Sequence, residues 1–221
     1  MRIAFLASGR GSNFSAVMQK IQEGACSGEP VLLLSNNSQS GALESARMYG
    51  LEAIHLSEKT AGSQAACANQ MIDILKKNKI DCIVLAGYMK PVPLGVLDEW
   101  ANRVINIHPA LLPAFGGQGW YGHYIHEGVV KRGAQITGIT IHTVTPDYDA
   151  GPILWQRALC VPPGTSAESL AQRVLKLEHD SLWRVIDALS KGILLPDSKA
   201  PEGIRGLAEF FESVKNLPIP N

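Results

Sequence analysis

Charge is scarce in this sequence. Asp, Glu, Lys and Arg make up 18% of the 221 residues, below the ~25% of an average globular chain. Twenty acidic groups cancel twenty basic ones. The balance holds in each half, with ten basic and nine acidic groups over residues 1–110 and ten and eleven over the rest. No global field therefore draws nucleic acid or an anionic membrane to the surface, and any anion must be held by a local site. Hydrophobic residues reach 46%, which excludes the low-hydrophobicity, high-charge composition of disordered chains. No apolar run approaches the ~18 residues of a membrane span. The opening apolar run is shorter than the ~7 residues of the shortest signal-peptide core, because Gly and charge intervene. Cysteine is sparse too: Cys26, Cys67, Cys82 and Cys160 are widely spaced and form no CxxC pair. That usage predicts a reduced, cytoplasmic protein with no metal site.

What is present is organised. Short, mostly apolar runs at Ile3–Ala7, Val31–Leu34, Glu52–Leu56, Ile83–Ala86 and Val104–Ile107 alternate with amphipathic segments at Phe14–Gln22, Ala42–Tyr49 and Ala65–Lys77. Continuous apolar strands separated by helices imply a parallel sheet buried on both faces. The second half differs. Pro109–Gly122 is rich in Pro and Gly and reads as a mobile loop. Ile136–Val144 and Ile153–Val161 alternate and read as an antiparallel pair. A long helix is expected from about Ser166 to Lys191, with Thr165 and Glu168 at capping-box spacing and Gly192 at the C′ position. The Pro-punctuated tail, 196–221, is expected to wrap the surface. The fold expected is an α/β, Rossmann-like, mostly parallel twisted sheet with helices on both faces and an antiparallel pair toward the C-terminus, forming one domain over residues 1–221.

Four clusters could carry chemistry. Ser8-Gly9-Arg10-Gly11-Ser12-Asn13 follows strand one and opens helix one, where free backbone N–H groups and the helix dipole suit a phosphate. It misses the dinucleotide fingerprint, since Phe14 stands in place of the third glycine and strand two ends in Ser35-Asn36-Asn37 without an acidic residue. A single phosphate fits better, with an ordinary capped turn as the alternative. Asn106 and His108 share one face at the carboxyl end of a strand, where open α/β sheets place ligands, and both can donate to a developing oxyanion; a hydrogen-bonded core histidine is the alternative. Asp147 and Asp149 sit in the turn TPDYDAGP, whose residues are also ordinary turn formers. A carboxylate from that turn beside His108 would raise the imidazole pKa and keep it a donor. Glu178 falls inside the apolar stripe of the last helix (Ala171, Val174, Leu175, Leu182, Val185, Ile186, Leu189), a costly place for a carboxylate unless it meets an arginine or a ligand's amine. His123 and His126 look like a metal pair, but without a third ligand they read as exposed histidines at a helix start. Lys76, Lys77 and Lys79 read as a solvated helix end.

Together these segments resemble the folate-dependent formyltransferase family over nearly the whole chain: SGRGSN after strand one, DCIVLAGYMKP, NIHPALLPAF at 106–115, the HTVTPDYDAGPI turn, and Leu177-Glu178-His179 in the last helix. The GSN opening and the LEH step point to the branch that formylates glycinamide ribonucleotide. The resemblance implies that Gly11, Ser12 and Asn13 hold the substrate phosphate and Glu178 its amine. Met89, Lys90, Pro91, Val92 and Asn106 line the site of the co-substrate 10-formyltetrahydrofolate, with no metal. Asn106 and His108 act on the formyl carbonyl, and Asp149 keeps His108 protonated. The amine then attacks the formyl carbon directly, and the tetrahedral intermediate collapses to release tetrahydrofolate. Partners are small molecules only, without nucleic acid or membrane, for a monomer or homodimer. The sequence departs from the family pattern at Lys90, where an arginine is common and lysine is a point charge without the fork, and at Gln64 and Leu175. The methionyl-tRNA branch would need a second C-terminal domain, for which residues 192–221 are too few, and the hydrolase branch would need a domain ahead of strand one. An amino-sugar-nucleotide formyltransferase would share the NIHP segment but not the GSN opening. A non-catalytic phosphate-binding module would have no use for Asn106, His108 and Glu178. The glycine-rich FGGQGWYGHYIHE segment is expected to form a lid.

Overall fold

In the computed structural model, which describes residues 1–196 and 204–218, seven strands form one sheet. They are β1 (Arg2–Leu6), β2 (Glu29–Ser35), β3 (Glu52–His55), β4 (Cys82–Leu85), β5 (Val104–His108), β6 (Ile136–Thr143) and β7 (Ile153–Cys160). The helices are α1 (Ser12–Gln22), α2 (Gly41–Met48), α3 (Glu58–Ala61), α4 (Gln64–Lys77), α5 (Leu94–Glu99), α6 (His123–Lys131), α7 (Ala167–Ser190) and α8 (Leu207–Val214). A two-residue ladder joins β8 (Leu195–Pro196) to β9 (Ile204–Arg205).

The sheet order is β3-β2-β1-β4-β5-β6-β7. Strands β1 to β5 pair in parallel, while β6 runs antiparallel to both β5 and β7. Because β2 and β3 lie on one side of β1 and β4 and β5 on the other, the winding reverses between β1 and β4. The carboxyl ends of these two strands therefore open a crevice. SGRGSN leaves one of them and AGYMKP the other.

Alternation along β1 explains the two cores. Ile3 and Phe5 belong to one buried cluster, which α1, α2, α6, α7 and α8 cover. Ala4 and Leu6 belong to the other, under α4 and α5. Phe14 packs edge-on against Phe5 at 5.1 Å, an arrangement worth about 0.5–1.5 kcal/mol beyond its buried area. The residue that breaks the dinucleotide fingerprint thus fixes α1 to the sheet.

The structure adjusts several expectations. The long helix is capped by Ser166, whose hydroxyl accepts from the Ser169 amide, and not by Thr165. Its buried face includes Leu170, Leu177 and Ser181, while Ala171 and Leu175 are only half-buried. The short helices α3 and α5 have too few residues to show a period and were not anticipated. Of the tail, 204–218 forms β9 and α8, with Phe210 edge-on to Trp155 at 5.5 Å. Residues 197–203 and 219–221 lie outside the described residues. His123 is exposed as expected, but His126 is buried. No described helix is long and apolar enough to cross a membrane.

Candidate active site

Strand β5 delivers Asn106 and His108, and the register of β6 sets their neighbours. Asn106 lies opposite His142, and His108 opposite Thr140. Nδ1 of His142 donates to the carbonyl of Thr143 at 2.8 Å. Its Nε2 is then left as the acceptor for one N–H of the Asn106 amide, at 3.1 Å. The second N–H of Asn106 is not used in that bond. Thr140 fixes the NIHPALLP segment: its hydroxyl donates to Ala110 O at 2.7 Å and accepts from Leu112 N at 2.9 Å and from Gln156 at 3.0 Å.

The turn between β6 and β7 brings Asp149 to this point. One carboxylate oxygen is 3.5 Å from His108 Nδ1, and the other is 3.6 Å from His142 Nε2. Asp149 also accepts from Gly117 N–H at 2.9 Å, while His108 Nε2 donates to Phe115 O at 2.8 Å. Both partners lie in the 109–122 loop, so a single loop holds the imidazole and the carboxylate together. Burial works to raise the Asp149 pKa. The neighbouring His142 and His108 rings and the Gly117 amide outweigh it and hold the carboxyl below its ordinary value. For His108 burial is the largest influence and wins: Asp149 and the Phe115 carbonyl pull upward, yet the imidazole lies below its usual value. The expectation that the carboxylate sets the His108 charge thus meets a stronger opposing desolvation.

The second cluster lies at α1. Gly11, at φ +75°, caps the helix with no side-chain cap, leaving the first N–H groups without intrahelical acceptors. A Cβ on Gly11 would stand 2.6 Å from Ala42 Cβ and 2.9 Å from its Cα, so conformation and space both demand glycine. Asn13 and Glu178 are both buried. No cation pairs with Glu178 among the described residues. Burial drives its carboxyl up to about 8, against a hydrogen bond from the Asn13 side chain. The arginine partner considered from sequence is not there. Ser8 joins this cluster to the third: its hydroxyl donates to Asn36 at 2.5 Å and accepts from Met89 N at 2.8 Å. Met89, Lys90 and Pro91 are exposed beyond β4, while Val92 is buried in the core.

His142, Thr140, Gln156 and the Phe115 carbonyl escaped the sequence reading. The alternation Thr140–His142 was visible, but its register against Asn106 and His108 was not. Among the described residues no group of three His, Cys, Asp or Glu side chains could hold a metal, and all four cysteines are free.

Residues 1–186 match the formyl transferase family model. The chain belongs to that family. It is similar to the chloroplastic phosphoribosylglycinamide formyltransferase of Arabidopsis thaliana, at 39% identity over 85% of this chain, and spans 65% of that protein's length. It is similar to the Bacillus subtilis phosphoribosylglycinamide formyltransferase, at 33% identity over 85% of this chain and 94% of the other. The fold matches glycinamide ribonucleotide transformylase 1 of Symbiobacterium toebii with a TM-score of 0.84, 32% identity and 93% of both chains covered. Within this formyl transferase, α8 and β9 lie beyond the segment that the family model matches.

Proposed function

We propose that this formyl transferase moves the formyl group of 10-formyltetrahydrofolate to the amine of glycinamide ribonucleotide, giving the formylated ribonucleotide and tetrahydrofolate in purine biosynthesis. The observation that carries the reading is the convergence of Asn106 and His108 from β5 with Asp149 from the β6–β7 turn at the carboxyl end of β5. The names of the relatives support the acceptor. Amide and imidazole N–H groups at one point form an oxyanion site. The neutral amine attacks the formyl carbon, and negative charge develops on the formyl oxygen. The unused Asn106 N–H stabilises it, together with the His108 N–H once the oxygen displaces the Phe115 carbonyl. The C–N bond to the folate breaks, and the proton lost by the amine passes to the departing nitrogen, with Asp149 as the nearest carboxylate.

Gly11, Ser12 and Asn13 would hold the substrate phosphate, and Glu178 the amine before attack. Met89, Lys90, Pro91 and Val92 would flank the folate. The reading needs one domain over 1–221, acting in the cytoplasm on small molecules as a monomer or homodimer, with neither nucleic acid nor membrane. The test is folate absorbance with purified protein, 10-formyltetrahydrofolate and glycinamide ribonucleotide. Acceptor-dependent turnover is expected, and His108→Ala should lower kcat at least ~100-fold with little change in KM, since a lost oxyanion donor costs about that much. Formylation of an amino-sugar nucleotide in place of this acceptor, or binding without turnover, overturns the reading.

A further inference from the structure

Phe115 has φ +55°, a left-handed backbone that a phenylalanine keeps only when its surroundings hold it there. Its carbonyl is the acceptor for His108. Whatever holds Phe115 therefore bears directly on the imidazole.

Three groups do so. The Trp120 ring meets the Phe115 ring edge-on at 5.4 Å. The Arg132 guanidinium lies 5.3 Å from the Phe115 ring centre and 5.4 Å from that of Trp120. Among the described residues it forms no ion pair, so the two rings are its partners. The third is Gly128, in the interior of α6. A Cβ there would stand 2.2 Å from Trp120 Cζ3, 2.6 Å from Cη2 and 3.5 Å from Phe115 Cδ1. Glycine inside a helix costs up to ~1 kcal/mol relative to alanine. Here the missing side chain forms the notch in which the indole edge rests. Two residues past Phe115, Gly117 donates to Asp149, so the same short segment sets both members of the pair.

We propose that Trp120, seated in the Gly128 notch and clamped by Arg132, is a positioning residue. It fixes the backbone of Phe115 to Gly117 and through it the hydrogen bonds of His108 and Asp149. The indole makes no hydrogen bond to His108 or Asp149 and acts only through the loop. The inference rests on the formyl-transfer reading for its kinetic readout, and on geometry alone for its spectroscopic one.

The experiment compares wild type, Gly128→Ala, Trp120→Phe and the double variant in two measurements. One is the 15N spectrum of the histidine rings, with His108 assigned by substitution. The other is kcat and KM for glycinamide ribonucleotide. A methyl at 128 evicts the indole, and the surface cavity of about 280 Å³ beside Trp120 gives the ring somewhere to go without unfolding the helix. The His108 Nε2 signal should then lose its hydrogen-bonded shift. kcat should fall at least ~10-fold with KM changed less than ~2-fold, the mark of misplaced groups rather than lost binding. Phenylalanine at 120 lacks the two colliding atoms and retains a ring for Phe115 and Arg132, so the double variant should recover the signal and most of kcat. A merely structural role changes stability and leaves the His108 signal and kcat of the folded Gly128→Ala protein unmoved. A folded Gly128→Ala protein with the wild-type His108 signal overturns the proposal, as does a double variant no better than Gly128→Ala. If Gly128→Ala does not fold, Trp120→Leu in the wild-type background is read the same way. If wild type transfers no formyl group, the functional reading fails and the 15N comparison still decides the clamp.

Discussion

Glu178 is the residue whose environment is furthest from what its side chain prefers. It projects from α7 into the core beside Asn13, without a cation among the described residues, and burial pushes its carboxyl up to about 8. A carboxyl raised above its unfolded value of 4.5 favours folding while it keeps its proton. The contribution is complete below about pH 4.5, where both states are protonated, and is lost as pH rises toward 8. Glu178→Gln keeps the shape and removes the titration. The variant is expected to match wild-type stability near pH 5 and to exceed it at pH 8 by roughly 2–4 kcal/mol, since each tenfold change in proton affinity is worth about 1.4 kcal/mol. Urea unfolding at the two pH values measures the difference. The same substitution should raise KM for the amine substrate above about pH 8, where the wild-type group is a carboxylate and a neutral amide attracts a cation less. Equal stability gains at both pH values would show that the carboxyl is not desolvated as its surroundings imply.

At the scale of elements, the carboxyl ends of β1, β4 and β5 and the N-terminus of α1 do the assembling. Gly11, at the start of α1, sits directly against Ala42 of α2. Ala at that position must adopt a left-handed φ and enter the space of Ala42, so α1 has to move away from α2. Gly11→Ala is expected to cost about 1–3 kcal/mol in stability and to weaken the phosphate-bearing substrate at least ~10-fold by turning aside the first amides of α1. KM for glycinamide ribonucleotide, set against KM for the folate, shows whether the loss is confined to this end of the crevice. The strands were legible in the sequence because each is a bounded apolar run, and the crevice was legible because polar pairs such as Asn106 and His108 interrupt those runs at their ends. Three things were not legible. The helix α5 follows Pro93 with too few residues to show a period. The contact of His142 with Asn106 depends on the β5–β6 register, which no local pattern encodes. The burial of His126 depends on the packing of α6 against the distant helix α7. Each of these was decided by packing between distant segments.

The whole molecule joins these buried groups into one pH response. Burial holds the imidazoles of His108 and His179 below their ordinary value, and that of His126 falls to about 4. His126 Nδ1 and His179 Nε2 have no hydrogen-bond partner, so protonation gains them no compensating contact. As pH falls from about 6.5 toward 4, the unfolded chain takes up protons on these three rings that the folded chain resists, and stability is lost across that window. Glu178 works in the opposite direction, but it is one group against three. Unfolding should therefore take up protons on balance near pH 5.5, each proton being worth a slope of about 1.4 kcal/mol per pH unit. Below pH 4, Asp149 and Asp187, both held under their ordinary value, extend the loss. Above 6.5 the histidine contribution is complete and only the Glu178 decline remains. Stability should consequently peak between about pH 6 and 7. Urea midpoints measured from pH 4.5 to 8.5 test this, and His126→Leu should remove part of the acid slope while leaving the alkaline side unchanged. A stability flat between pH 4.5 and 6.5 would mean that these rings stay accessible to protons in the folded chain.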